Sequence, residues 1–193
     1  MSHEVEIKLR INNVDYVEKK LEKLGAELID IVEEEDYYID LTPCIDVKNL
    51  DIALRIRKSK SLMKGYIVEE LTFKGKRVSE FPKIRKEITV RISDAEKLLE
   101  IFSELGFRNA HIVTKVRKVY TLGNFKILLD QVKELGHFME IELLSPTNLS
   151  TFRDELVNLF KVINVNESCI ERRTYLELLL ERKVTKEIID LCR

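Results

Sequence analysis

The nine residues His3-Glu4-Val5-Glu6-Ile7-Lys8-Leu9-Arg10-Ile11 alternate without a break: Val5, Ile7, Leu9 and Ile11 share one parity, Glu4, Glu6, Lys8 and Arg10 the other. Side chains along a strand point to opposite faces in turn, so this stretch spells a strand with one apolar and one charged face. Asn12 or Asn13 then caps a helix in which Val14, Val17, Leu21 and Leu24 recur at helical spacing, and Gly25 ends it. An offset of 81 residues lays Glu6 on Glu87, Ile7 on Ile88 and Arg10 on Arg91, and it lays Val17, Leu24 and Gly25 on Leu98, Leu105 and Gly106. The chain therefore reads as one domain, 1–193, with an internal strand-helix-strand repeat at about 3–40 and 84–121.

The two-faced pattern recurs along the chain. Leu54 and Ile56 oppose Arg55 and Arg57; Leu71 and Phe73 oppose Thr72 and Lys74; Ile88, Val90 and Ile92 oppose Arg85, Glu87, Thr89 and Arg91. Lys115 and Arg117 share a parity, as do Lys126 and Asp130, while Glu140 and Glu142 oppose Met139, Ile141 and Leu143. Further helices are expected over 148–160, with Leu149, Phe152, Leu156 and Leu159 as the stripe, and over 174–181. The polar stretches 58–65 and 75–83 read as loops. One such strand is equally what a solvent-facing sheet shows, with cross-strand ion pairs. Repetition over six strands, with few Ser, Thr or Asn on the charged faces, favours an α+β fold in which helices cover the apolar side and the charged faces look at one another. A sheet of this kind that curls closed makes a tunnel lined with charge.

Composition limits the partners. The 33 basic and 34 acidic residues nearly cancel, so no whole-molecule field points to nucleic acid or to a membrane surface. Cys44, Cys169 and Cys192 are widely spaced and odd in number, which suggests neither a disulfide framework nor a zinc site and fits a cytoplasmic protein. His3, His111 and His137 share no ligand spacing, and the phosphate-binding glycine loops are absent.

Placed face to face, the strands bring together seven bases, Lys8, Arg55, Arg57, Lys74, Arg85, Lys115 and Arg117, and six acids, Glu4, Glu6, Glu87, Asp130, Glu140 and Glu142. Burying an unpaired ion costs several kcal/mol, so the ligand of such an interior should itself carry charge. Carboxylates two apart on a strand, Glu4 with Glu6 and Glu140 with Glu142, can converge on a hard cation such as Mg2+ or Mn2+, with Asp130 beside them. Arg and Lys suit the oxygens of a polyphosphate. A metal-bound triphosphate satisfies both sets. Asp36, near Tyr37 and Tyr38, reads as a supporting partner of these groups.

At E-x-E-x-K, Glu4 to Lys8, the sequence resembles the CYTH family, also called triphosphate tunnel metalloenzymes. The later motifs follow in family order: A-L-R-I-R ending at Arg57, L-T-F-K-G around Lys74, R-x-E at Arg85 and Glu87, K-x-R at Lys115 and Arg117, and L-G-x-F-x-E-I-E ending at Glu142. Tyr175-Leu176-Glu177-Leu178-Leu179 belongs to the same likeness, which spans nearly the whole chain and is nearest the class IV adenylyl cyclase branch. The resemblance implies a closed eight-stranded antiparallel tunnel and, in the cyclase branch, a homodimer. It also implies that Glu4, Glu6, Asp130, Glu140 and Glu142 hold metal and that the seven bases cradle the triphosphate. Glu4, Glu6, Lys8 and Asp130 would carry catalysis. Thr89 departs from the family, which often has a second Glu there, leaving Glu87 alone on its strand. Three functions follow from the likeness: cyclisation of ATP to cyclic AMP and pyrophosphate as the first expectation, hydrolysis of inorganic, thiamine or nucleoside triphosphate as the alternative, and polyphosphate or nucleotide binding without turnover. Kept carboxylates argue against the last.

Overall fold

The computed structural model describes residues 2–80, 82–107, 110–144, 149–165 and 167–191, with side chains at 5–47, 49–79, 82–107, 111–144, 155–165 and 168–183. Eight strands, β1 (Ser2–Arg10), β2 (Glu27–Ile39), β3 (Ala53–Ser61), β4 (Ile67–Glu80), β5 (Lys83–Arg91), β6 (Ala110–Leu122), β7 (Phe125–Val132) and β8 (Gly136–Leu143), close into a barrel in the order β1-β5-β4-β3-β2-β6-β7-β8. Every neighbouring pair is antiparallel, and β8 closes on β1 with Glu142 opposite Glu6 and Glu140 opposite Lys8. The expected α+β barrel is thus the fold. The strands that the 81-residue offset superposes are neighbours in it, with Glu4 opposite Arg85 and Glu34 opposite Lys115, each pair 81 residues apart.

The helices are α1 (Val14–Lys23), the single turn α2 (Val47–Leu50), α3 (Ala95–Glu104), α4 (Leu149–Ile163) and α5 (Tyr175–Leu191). Asn13 caps α1, its extended backbone letting the side-chain oxygen accept from Tyr16 N at 3.0 Å, and Gly25 leaves the helix at φ 83°. Asp94 caps α3 in the same way through Lys97 N. On the outside, α1 and α4 lay Val17, Leu21, Leu156, Leu159 and Ile163 over Ile7 and Leu9 of β1, Ile127 of β7 and Ile141 of β8. Ala95 of α3 seals Ile39 and Ile56, with Leu98 and Phe102 at the edge.

The fifth helix does something different. Val113, Val132 and Phe138 share strand parity with Lys115, Asp130 and Glu140 and so face the barrel interior. Tyr175, Leu178 and Leu179 of α5 pack on them, the Phe138 and Tyr175 rings meeting edge to face at 5.0 Å. One side of one barrel mouth is therefore filled by a helix.

Two expectations are corrected. The stretch 75–83 is mostly strand, since β4 runs to Glu80, and the first half of 58–65 belongs to β3, which runs to Ser61, while 62–65 is the expected turn. Their charges mark cross-strand pairing: Lys60 lies opposite Glu33, and Lys58 lies between Glu35 and Glu69. Register shifts on either side of Arg77 show where β4 bends. The last two helices reach Ile163 and Leu191, beyond the expected ends. Asn148 and Cys192, and the side chains of Leu149 and Phe152, lie outside the described residues. Among the described residues no helix is long and apolar enough to cross a membrane.

Candidate active site

Charged strand faces enclose a cavity of about 660 Å³ that opens at the mouth shared by α5, the β2–β3 loop and the start of β6. All seven bases expected from the sequence line it, together with Arg77, Lys83 and Lys126. Against these ten bases stand seven carboxylates among the described lining residues, Glu6, Asp36, Asp40, Asp51, Glu140, Glu142 and Glu177. The lining is thus net positive, as a site for a polyanion should be.

Asp36 organises the basic side. It is 1% exposed, accepts two bonds from Arg57 at 2.5 and 2.7 Å and one from Lys115 at 2.8 Å, and lies 3.7 Å from Arg55. Burial alone would raise its pKa, but Arg57, Lys115 and Arg55 outweigh it and hold the carboxyl well below the usual range. Glu34 is governed by the same balance: burial opposes ionisation, while Arg57, Lys115 and Arg117 bring the pKa down to about 2. Arg85 sits differently, its guanidinium donating to the carbonyls of Gly75 and Asp51. The buried Nε of Arg55 makes no hydrogen bond at all. A buried donor in that state is stabilised by an incoming acceptor.

The carboxylate side gathers Glu6, Glu140 and Glu142, whose oxygens come within 4.8 Å of one another. Three hard oxygen donors at that spacing fit Mg2+ or Mn2+. Glu4 lies opposite Arg85 in the ladder, but its side chain is outside the described residues. Asp130 does not join the trio: Arg117 grips it at 2.5 and 2.6 Å, and Tyr175 donates to it at 2.8 Å. Glu87 is likewise apart, ion-paired with Lys74, and Thr89 meets Thr72 at 3.0 Å, so β5 adds no second carboxylate. Lys8 lies 3.9 Å from Glu140 and 4.3 Å from the centre of the Tyr175 ring. Burial lowers its pKa, and the attraction of Glu140 opposes this only in part.

Ammonium groups already occupy the trio, since Lys83 pairs with Glu6 and Lys126 with Glu142 at 2.8 Å. A divalent cation must compete with them. The Lys83→Met variant is therefore expected to bind Mn2+ roughly three- to tenfold more tightly in the absence of substrate, the size of one partly screened ion pair. Titration followed by the electron paramagnetic resonance of free Mn2+ measures this, and unchanged affinity would show that Lys83 does not compete.

Several residues that line the cavity or brace its wall escaped sequence reasoning. Glu34 was within reach, because it shares the parity of Asp36 and lies opposite Lys115. Lys83 and Lys126 carried the same parity signal, beside Arg85 and Asp130. Arg77 follows a register shift, and Tyr175 enters from a helix, so no strand periodicity could place either.

Comparison with known proteins agrees with this arrangement. A model of the CYTH domain matches residues 2–175. The Methanocaldococcus jannaschii protein named "Putative adenylate cyclase MJ0240" is 34% identical over 177 residues, covering 91% of this chain and 97% of the relative. Adenylate cyclase CyaB of Aeromonas hydrophila is 25% identical over 187 residues, 94% of this chain and 91% of that one. Among solved structures, the PH1819 protein of Pyrococcus horikoshii OT3 superposes with a TM-score of 0.80 at 36% identity, covering 93% of this chain and 99% of that one. With a family match across nearly its full length and an eight-stranded barrel enclosing opposed basic and acidic walls, this chain belongs to the CYTH domain family.

Proposed function

We propose that this protein is a metal-dependent enzyme that binds a triphosphate chain in the charged cavity and breaks one of its phosphoanhydride bonds. The observation that carries this reading is the meeting of the Glu6, Glu140 and Glu142 trio with the net positive wall inside one cavity. Arg57, Lys115 and Arg117, fixed by Asp36, Glu34 and Asp130, bind and orient phosphate oxygens, and Arg55 Nε takes an acceptor there. A divalent cation held by Glu6, Glu140 and Glu142, with Glu4 as a further ligand, would neutralise charge on those oxygens and polarise them. Positioning and charge neutralisation are most of what phosphoryl chemistry asks of a protein.

The names of the two relatives favour cyclisation of ATP. In that reaction the ribose 3′ oxygen bonds to the α-phosphorus, the bond to the bridging oxygen breaks and pyrophosphate leaves. The hydroxyl proton must go to a base. We assign this role to Lys8, whose Nζ lies in the cavity 3.9 Å from Glu140. The alternative is a triphosphatase, in which water attacks the terminal phosphorus instead and the rest of the phosphate chain leaves; that reaction needs only the charged wall and the cation, with no contact to an organic group.

Incubation with ATP and with inorganic triphosphate, in Mg2+ and in Mn2+, followed by chromatography of all products, tests the reading. Cyclic AMP with pyrophosphate is the expected pair for the cyclase, and orthophosphate for the triphosphatase. Binding without either product would leave a non-catalytic module.

A further inference from the structure

The two halves of the barrel are covered unequally. Where β1 pairs with β8, Ile7 lies opposite Ile141 and Leu9 opposite Met139. Where β5 pairs with β4, Ile88 lies opposite Phe73 and Val90 opposite Leu71. The 81-residue offset lays Ile7 on Ile88 and Leu9 on Val90, so the two sets hold equivalent places on the outer face. Their surroundings differ: Ile7 and Leu9 are 3% and 0% exposed, Ile88 and Val90 49% and 51%.

Helices account for the difference. Leu156, Leu159, Phe160 and Ile163 of α4 share one core with Ile7, Leu9, Met139 and Ile141. The counterpart of α1, α3, reaches Leu71 and Ile92, but among the described residues no helix stands on β4 and β5 as α4 stands on the first set. The chain leaves no room for one: after β8 it continues into α4, whereas β4 ends at Glu80 and β5 begins at Lys83. On α3 the uncovered strip goes on, since Leu98 packs in the cluster of Leu71 and Ile92 and is followed at helical spacing by the exposed Ile101 and Leu105. An apolar face of this extent is rare on a monomer.

We propose that the outer face of β4, β5 and α3 is an interface with a second copy of this chain, each copy giving the other the cover that α4 gives the first repeat. The charges on the face are self-complementary. Lys86 shares the parity of Ile88 and bounds the apolar four at one end; Glu69, which holds Ala95 N through one oxygen at 2.8 Å, shares the parity of Leu71 and bounds them at the other. A two-fold axis lying across the strands sets the Lys86 end of one copy on the Glu69 end of its partner and closes the pair. The size fits as well. The nine residues of β5 make about 30 Å of strand, and two strands beside a helix are about 20 Å wide, a face on the order of 600 Å² before its rim is counted. A stable interface takes roughly 800 Å² from each partner.

Sedimentation equilibrium of the wild type and of single variants tests this. Ile88→Lys puts a charge at the centre of the face. Ile101→Lys gives α3 the residue that α1 carries at the equivalent place, Lys20, so the helix tolerates it. The wild type is expected to have the mass of two chains at micromolar concentration. Each of these variants should weaken the dimer about 100-fold or more, with unchanged circular dichroism, because the two-fold axis buries two unpaired ammonium groups at once. Ile112→Lys is the control: Ile112 is half-exposed on the outer face of β6, and its substitution should leave the dimer intact. A wild type with the mass of one chain overturns the proposal. A dimer that survives both Ile88→Lys and Ile101→Lys overturns it too, and loss of that dimer in Ile112→Lys would move the interface to β2 and β6.

Discussion

Glu6→Gln is expected to lower metal-dependent turnover about 100- to 1,000-fold while leaving the barrel folded. Glu6 contributes one oxygen to a set of three carboxylates within 4.8 Å, and the amide keeps its volume but removes its charge. A catalytic cation is worth several kcal/mol to a phosphoryl transition state, and each 1.36 kcal/mol is a factor of ten, so loss of one anionic ligand reaches this range. The measurement is kcat/KM at saturating Mg2+ and again at saturating Mn2+, beside the circular dichroism of the same samples. Glu33→Gln is the control, since Glu33 is exposed opposite Lys60. Turnover within twofold of wild type would remove Glu6, and with it the carboxylate trio, from the proposed chemistry.

Asp36→Ala should have the largest effect on stability. It strips Arg57 of a two-bond partner and Lys115 of one of two carboxylates, and it leaves Arg55 without its 3.7 Å counter-charge. Removing one side of a buried pair leaves a buried charge uncompensated and costs about 3 to 5 kcal/mol. Urea unfolding at pH 7 reads this, and a loss below about 1 kcal/mol, the worth of an exposed pair, would mean that the neighbouring Glu34 takes over. The same network sets the acid response. Asp36, Glu34 and Glu140 are all depressed relative to their ordinary values, Glu34 from 4.5 to about 2. For groups depressed on folding the stabilisation is complete above the unfolded pKa and is lost as pH falls through the folded one. The wild type should therefore lose stability between about pH 4.5 and 2, and Asp36→Ala should show a shallower loss over that window.

The seven bases named from sequence all line the cavity because parity is a local property: on a regular strand, residues two apart share a face whatever the rest of the chain does. The 55–57 and 115–117 pairs needed no tertiary information. The same rule explains the error at 58–61 and 75–83, where polar composition imitates a loop. Lys58 and Lys60 sit on regular strand, and composition does not report that glutamates on neighbouring strands complete them.

At Asp130 parity stops being enough. That it shares the interior face was legible, but whether it turns to the carboxylate trio or to Arg117 depends on β6 lying beside β7 and on Tyr175 arriving from α5. Asp36 reverses the case: read as a supporting group, it is the centre of the basic wall, because Arg57 from β3 and Lys115 from β6 flank β2 on either side.

By itself, then, the sequence determined which residues form two-faced strands, where α1 begins, and which charges share the inner face. These are consequences of a two-residue period, of capping oxygens and of left-handed glycines, all of which act within a few residues. The tertiary structure alone decided which charge meets which, that α5 fills one side of the mouth, and that α4 covers the outer face of β1 and β8 while Ile88 and Val90 of β5 stay half-exposed. Those depend on barrel closure and on pairings such as Arg77 with Glu177, 100 residues apart, where the order of strands and the landing place of a helix set distances that no local period encodes.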